Sequence, residues 1–342
     1  MKTTKGEIYF VRELEAGGFS PFTKIGLIGY DKDRSSTDRL PEHQTGNPRK
    51  LVISHFVVTD CVNAVETYMH RKYAGLRGLG EWFRFDDVLL AEAINFCEQL
   101  ASRFAAEVAV LESSKTLKDK TSDGVAIDPS DEAKQWYGKY VISSSLIHQC
   151  NELQAKYEEL IREAESTGID TSRNAEFRTA ERAGFNEKGF KEKYPELWNK
   201  YALPVVTVSG KFMSEKFDKS DDAVVSELPD FVSLRERFSK IFGSTEQHDS
   251  KLELLKDCYL ELLGFSKEAA VEKEIAEAHL KVLCGTSDGI TGICKWKRTE
   301  KTSFSLDKNS LEANHPIEYQ EFQVTKIIES LVKGKAQGAF DS

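Results

Sequence analysis

The feature that most constrains this chain is an internal duplication. Residues 185–201 (FNEKGFKEKYPELWNKY) align without gaps on residues 306–322 (LDKNSLEANHPIEYQEF). Each copy opens on a large apolar residue (Phe185, Leu306). A second follows five positions later (Phe190, Leu311), a proline five after that (Pro195, Pro316), then two aromatics, Trp198 and Tyr201 or Tyr319 and Phe322. Each copy follows a helical segment and a β-rich stretch. A period of this kind implies a repeated supersecondary unit, read here as a duplicated helix–hairpin–helix whose apolar residues fill its own core. A shorter echo, TSDG at 121 and again at 286, lies at a different offset and is set aside as coincidence.

Around the duplication, periodicity assigns an α+β chain. Residues 7–12 and 22–29 read as strands joined by a long connection through Gly17, Gly18 and Pro21. A short helix follows near 37–43, then a strand at 50–58 and a helix at 60–74 with Val62, Val65, Met69 and Tyr73 at helical spacing. A short strand at 81–85 closes this block. Helices dominate afterwards: 87–112, 134–166, 231–243, 250–263, 266–284, 307–313 and 316–335. Between them lie polar linkers at 113–133 and 214–230, a strand at 204–212 and a hairpin-like stretch at 285–305. The expected division is 1–88, then 89–213 with the first copy, then 231–342 with the second.

Charge is distributed unevenly over these parts. The net charge is −9. Residues 1–87 hold 13 Lys+Arg against 12 Asp+Glu, which leaves 34 against 44, or −10, for the remainder. Contact with nucleic acid is therefore electrostatically easier through the first part. The composition, 40% hydrophobic and 30% charged, is that of an ordinary soluble protein. Lacking an eighteen-residue apolar run or a secretory leader, the chain is expected in the cytoplasm of a bacterial or phage-infected cell. The six cysteines form no CxxC pair and are expected to be reduced, buried thiols.

The first block carries the residues that phosphodiester cleavage needs: a carboxylate for a metal, a cation for phosphate, and a tyrosine or histidine to handle the water's proton. In order they are Ile8-Tyr9, Lys24-Ile25-Gly26, Arg39-Leu40, Gln44-Thr45-Gly46-Asn47-Pro48, Glu66 with His70 four residues later, and Gly80-Glu81-Trp82-Phe83. These six elements resemble, in order and with compatible gaps, the phage and bacterial branch of the GIY-YIG nucleases. The resemblance covers about a quarter of the chain. It implies a small β-β-α-β-α nuclease domain acting on nucleic acid, DNA in the first place.

In that resemblance Glu66 holds Mg²⁺ or Mn²⁺, Arg39 is the catalytic arginine and Tyr9 the water-activating or water-positioning tyrosine. Lys24 replaces the second motif tyrosine, and either contacts phosphate or is merely exposed. His70 shares a helix face with Glu66; it either bonds the attacking water or scissile phosphate, or is satisfied by a neighbour. Arg34 is the rival of Arg39. His43, Gln44 and Asn47 are placed to touch substrate, Gly46 and Pro48 to shape their loop. Glu81 is a candidate second carboxylate, while Trp82 and Phe83 read as core.

Residues 265–325 are similar to the tail that follows the nuclease core in YqaJ-type phage recombinases. Shared features are an alanine/leucine helix, a glycine turn, a K-W-K strand and an F-x-x-x-x-L…P motif. The catalytic core of that family is absent, so only an association with DNA processing follows. Lys295, Trp296, Lys297 and Arg298, with Lys301, form a basic–aromatic strip read either as a backbone-binding, base-stacking surface or as a structural hairpin. The whole is expected to be an endonuclease whose C-terminal region positions DNA, recruits a protein partner or forms a homodimer. The alternative is a nucleic-acid-binding or adaptor protein that keeps the fold without the chemistry.

Overall fold

A computed structural model describes residues 3–32, 34–45, 47–78, 80–171, 175–245 and 248–333; Gly46, expected to shape a loop, lies outside them. The chain is mixed α and β. In order it runs β1 (Gly6–Glu15), β2 (Gly18–Gly29), α1 (Ser36–Gln44), β3 (Lys50–Thr59), α2 (Val62–Lys72), β4 (Trp82–Arg84), α3 (Asp87–Lys118), β5 (Ala126–Ile127) and α4 (Asp131–Ser166). Then follow β6 (Ala175–Phe185), α5 (Glu187–Lys193), α6 (Pro195–Tyr201), β7 (Ala202–Ser209), β8 (Met213–Ser214), α7 (Asp222–Val225), α8 (Pro229–Phe242) and α9 (His248–Cys284). The end is β9 (Gly289–Ile290), β10 (Cys294–Lys295), β11 (Thr299–Leu306), α10 (Lys308–Asn314), α11 (Pro316–Glu321) and β12 (Gln323–Lys333). No helix among the described residues is long and apolar enough to cross a membrane.

The first block is an antiparallel sheet ordered β3-β1-β2-β4. Alternation along β1 sends Ile8 and Phe10 to one face, against Val62, Val65 and Met69 of α2 and Leu90, Ala93 and Cys97 of α3. Tyr9 and Val11 go to the other, with Leu40 of α1. The long connection expected between the first two strands is a tight turn instead. The strands extend to Glu15 and Gly18, and the turn uses left-handed Gly17 (φ 114°) and Gly18 (φ 148°), which favour glycine.

The second block is built on α4 and α9, which pack antiparallel. Tyr157 meets Tyr259 and, more than half the helix away, Trp136 stacks on His279 at 3.6 Å. The two helices expected at 250–263 and 266–284 are one. Helix α9 also grips the first block: Arg71 pairs with Glu268 and lies 4.4 Å over Phe265, and Tyr68 donates to Glu272.

The duplication folds as strand–helix–helix–strand. Positions 185 and 306 differ by 121, and the same offset carries Ala202 to Gln323. β11 pairs with β7 through Leu306↔Ala202, and β12 with β6 through Gln323↔Phe185. The offset converts the first pairing into the second, so a pseudo-twofold relates the copies. Caps repeat too: Asn186 accepts from the Gly189 amide and Asp307 from the Ser310 amide, both at 3.0 Å. The expected helix–hairpin–helix, each with its own core, is corrected on both counts, because Phe190, Trp198, Tyr201, Leu306 and Leu311 form one core shared by the copies. The stretches 89–213 and 231–342 are likewise joined by this core, by the α4–α9 seam and by the strand pairs.

Two further expectations change. Residues 323–333 are strand, not helix, because each residue from Gln323 to Lys333 finds a partner on β6. The two TSDG segments touch: the Asp123 amide donates to Thr286 O (2.9 Å), and Ser122 Oγ to Asp288 Oδ1 (2.6 Å).

Candidate active site

β4 covers β2 only from Phe22 to Lys24, and polar groups from five segments gather where it stops. Tyr9 lies opposite Gly26 in the register, 2% exposed, with its ring crossing the glycine. A Cβ on Gly26 would stand 2.5 Å from Tyr9 Oη. This is the physical reason for a glycine there.

The Tyr9 hydroxyl is 2.9 Å from His43 Nε2 and also meets Arg39. Burial raises the Tyr9 pKa above the usual phenol range, against the pull of Arg39. Tyr9 is therefore protonated near neutral pH. Burial, then Lys24 and Arg39, lower the His43 pKa, leaving a neutral imidazole able to accept that proton. His43, expected as a substrate contact, stands as the partner of Tyr9.

Arg39 makes an ion pair with Glu42 (3.3 Å), and its buried Nε has no hydrogen-bond partner. Arg34 is bound to the same Glu42 and to Asp38 O, so it serves the α1 end rather than the cluster. Lys24 is not free: its Nζ is 2.5 Å from Glu81 Oε2, and its side chain is 12% exposed. Glu81 has its pKa lowered, burial being outweighed by Lys24, His70 and Arg77.

Glu66, on α2, behaves in the opposite sense. Burial, then Glu81, push its pKa up to about 7 against Lys24, Lys267 and Arg77. Two carboxylates in mutual range with one elevated pKa mark a place where an added cation would be stabilising. Among the described residues, no three His, Cys, Asp or Glu side chains converge on a metal position.

Three of the expected site residues turn out to brace the structure. His70 bonds Ile25 O through Nε2 (3.1 Å) and Arg77 NH2 through Nδ1 (3.2 Å), so both ring nitrogens are occupied. Burial lowers its pKa to about 4, against the Ile25 carbonyl and with the help of Arg77 and Lys24. Gln44 staples its loop, donating to Asn47 O and Arg49 O and accepting from the Leu51 amide. Asn47 donates to Glu13 (2.6 Å) and accepts from the Arg49 amide. Both are therefore removed from the substrate contacts. Arg77, missed in the sequence, is held by His70 beside Glu66 and Glu81, its buried Nε unpartnered. Its only signal was its place in the glycine-rich 75–80 loop.

The C-terminal strip splits by strand alternation. Lys295 and Lys297 are exposed, but Trp296 and Arg298 are each 1% exposed. Arg298 stacks 3.8 Å from the Trp296 ring and donates to Leu117 O (3.0 Å) and Gly285 O (2.7 Å). It thus bonds backbone carbonyls at the ends of α3 and α9, where a cation is favoured. Stacking of a base on Trp296 is ruled out by that burial, and Arg298 is a structural brace. No protein-family model, curated protein or solved structure matches this chain.

Proposed function

We propose that the cluster at the β2 edge hydrolyses phosphodiester bonds of nucleic acid, DNA in the first place, as a GIY-YIG-type endonuclease. The observation that carries the reading is the convergence of three separate segments on Tyr9, which bonds Arg39 and lies within electrostatic range of Glu66.

A single Mg²⁺ or Mn²⁺ fits Glu66. The ion keeps most of its waters and takes one or two carboxylates, and its charge would offset the burial and the Glu81 repulsion that raise the Glu66 pKa. When bound, it supplies charge for the phosphate oxygens and acidifies a coordinated water. The protein's own part is positional. Arg39 offers its partly exposed guanidinium to phosphate oxygens, and Arg77 adds a second cation. Tyr9 orients the attacking water and can pass a proton to neutral His43. His70 holds Arg77 and β2 in place rather than touching the water.

A binding-only reading rests on the Lys24–Glu81 pair, which fills the second tyrosine's place with a neutralised salt bridge. Plasmid nicking separates the two. With Mg²⁺ the protein nicks supercoiled DNA and a chelator stops it, while Glu66→Gln slows nicking by about a hundredfold or more and leaves affinity within threefold. Binding without nicking in any divalent metal would favour the second reading.

A further inference from the structure

We propose that a lysine-lined groove in the duplicated region is a second nucleic-acid contact, gripping the phosphodiester backbone away from the site of cutting. This rests on nucleic acid being the substrate. The groove, about 640 Å³, lies where the C-terminal end of α3 meets the β7 and β11 ends, and its lining contains Lys118, Lys211, Lys297 and Lys301 with Ser209 and Thr299. All four lysines are exposed, and no carboxylate lines the groove. Only Lys297 has a carboxylate near, Asp288 at 3.7 Å; among the described residues Lys118, Lys211 and Lys301 have no ion pair.

The arrangement is built, not incidental. Thr299 and Lys301 share one face of β11 and Lys297 lies just before that strand, all three on the groove, so the lysines are spread over about 13 Å, roughly four nucleotides at 3.4 Å each. Gly210 lies so close to this strand that a Cβ would sit 2.2 Å from Lys297 O. That close approach sets Lys211 beside Lys297. Four convergent cations are unusual in a region whose net charge is −10. The other groove in this region, about 370 Å³, mixes Lys156 and Arg235 with Glu152, Asp222 and Glu236. A polyanion with regularly spaced charges is what the lysine groove fits, with hydroxyls for its oxygens.

Position supplies the function. Cys97 of α3 packs beneath Ile8 and Phe10 of β1, and the helix from there to Lys118 spans about 30 Å. A strand held in both places would therefore span on the order of nine nucleotides.

The test is fluorescence anisotropy with a labelled 30-base-pair duplex and the matching single strand, over a salt series. Lys118→Ala/Lys211→Ala/Lys301→Ala removes three exposed cations and should weaken binding tenfold or more at 0.1 M salt. It should also lower the magnitude of the slope of log K against log salt by about 2 to 3. A control triple at Lys134, Lys188 and Lys240 should change neither by as much as the groove triple. A six-base-pair duplex, too short to reach both places, should bind the wild type far more weakly than the 30-base-pair duplex. Unchanged affinity and slope in the groove triple, or no binding by the wild type, overturns the groove. The nuclease reading is judged apart. Groove-dependent binding without cutting sinks that reading alone, and cutting by a groove triple of unaltered affinity sinks the groove alone.

Discussion

Arg39 and Arg298 are both arginines with a buried, unpartnered Nε, yet their surroundings assign them opposite work. Arg298 is almost fully enclosed, and its terminal nitrogens close two helix ends. Arg39 keeps its side chain 37% exposed, shares a carboxylate at 3.3 Å, and stands among groups with displaced pKa values. A buried cation satisfied by backbone carbonyls completes a fold. A half-exposed cation beside a buried phenol and a neutral imidazole has the setting of a ligand site.

Substitution should split the pair cleanly. Arg39→Ala is expected to slow cleavage by about 10²–10³-fold with little change in unfolding midpoint. Arg298→Ala should do the reverse, costing about 3 kcal/mol in denaturant unfolding through the loss of two buried charge-assisted hydrogen bonds, with the β2-edge cluster untouched. Loss of stability in Arg39→Ala equal to that in Arg298→Ala would collapse the comparison. Next in size, Leu311→Ala should cost about 2–5 kcal/mol and loosen both strand pairs together, since one core serves both copies. Cooperative loss of only one pair, seen by hydrogen exchange, would contradict the shared core.

Gly26→Ala sharpens the contrast within the first block. The new Cβ displaces the Tyr9 ring, at about 1–3 kcal/mol, and cleavage should fall more than stability alone explains. The last contrast is the pH dependence of Glu66. Its folded pKa of about 7 lies above the ordinary 4.5, so the folded state holds the extra proton between those values. The favourable contribution of this group is present at low pH and lost as pH rises through 7. Glu66→Gln should therefore gain melting temperature over wild type at pH 8 but not at pH 5, and Mg²⁺ should raise the wild-type value alone at pH 8. An advantage constant across pH would contradict the assignment.

Much of the first block was legible because alternation and capping are local. Val62, Val65, Met69 and Tyr73, spaced for a helix, are all buried. The β1–β2 connection was misread because glycines signal a loop and a two-residue turn alike. The terminal strand was hidden by Ile327, Ile328 and Leu331, whose spacing suits a helix until β6 supplies partners. The duplication itself held the answer, since β7 carries over to 323–330. In the site, Tyr9, Arg39 and Glu66 were readable as an ordered set. The partnerships Tyr9–His43, Lys24–Glu81 and His70–Arg77 were not, because they form across 34, 57 and 7 residues respectively, around a sheet edge. Trp296 and Arg298 looked like a binding strip because sequence gives their alternation without saying which face is inside.

The most direct test of the central claim is single-turnover cleavage of a labelled duplex at saturating protein and Mg²⁺, wild type beside Glu66→Gln. Saturation removes affinity from the comparison, leaving the chemical step. The account predicts cutting by the wild type and a rate at least about a hundredfold lower in the variant, with binding preserved. Equal rates would show that Glu66 does not serve the reaction and that the β2-edge cluster has been misassigned.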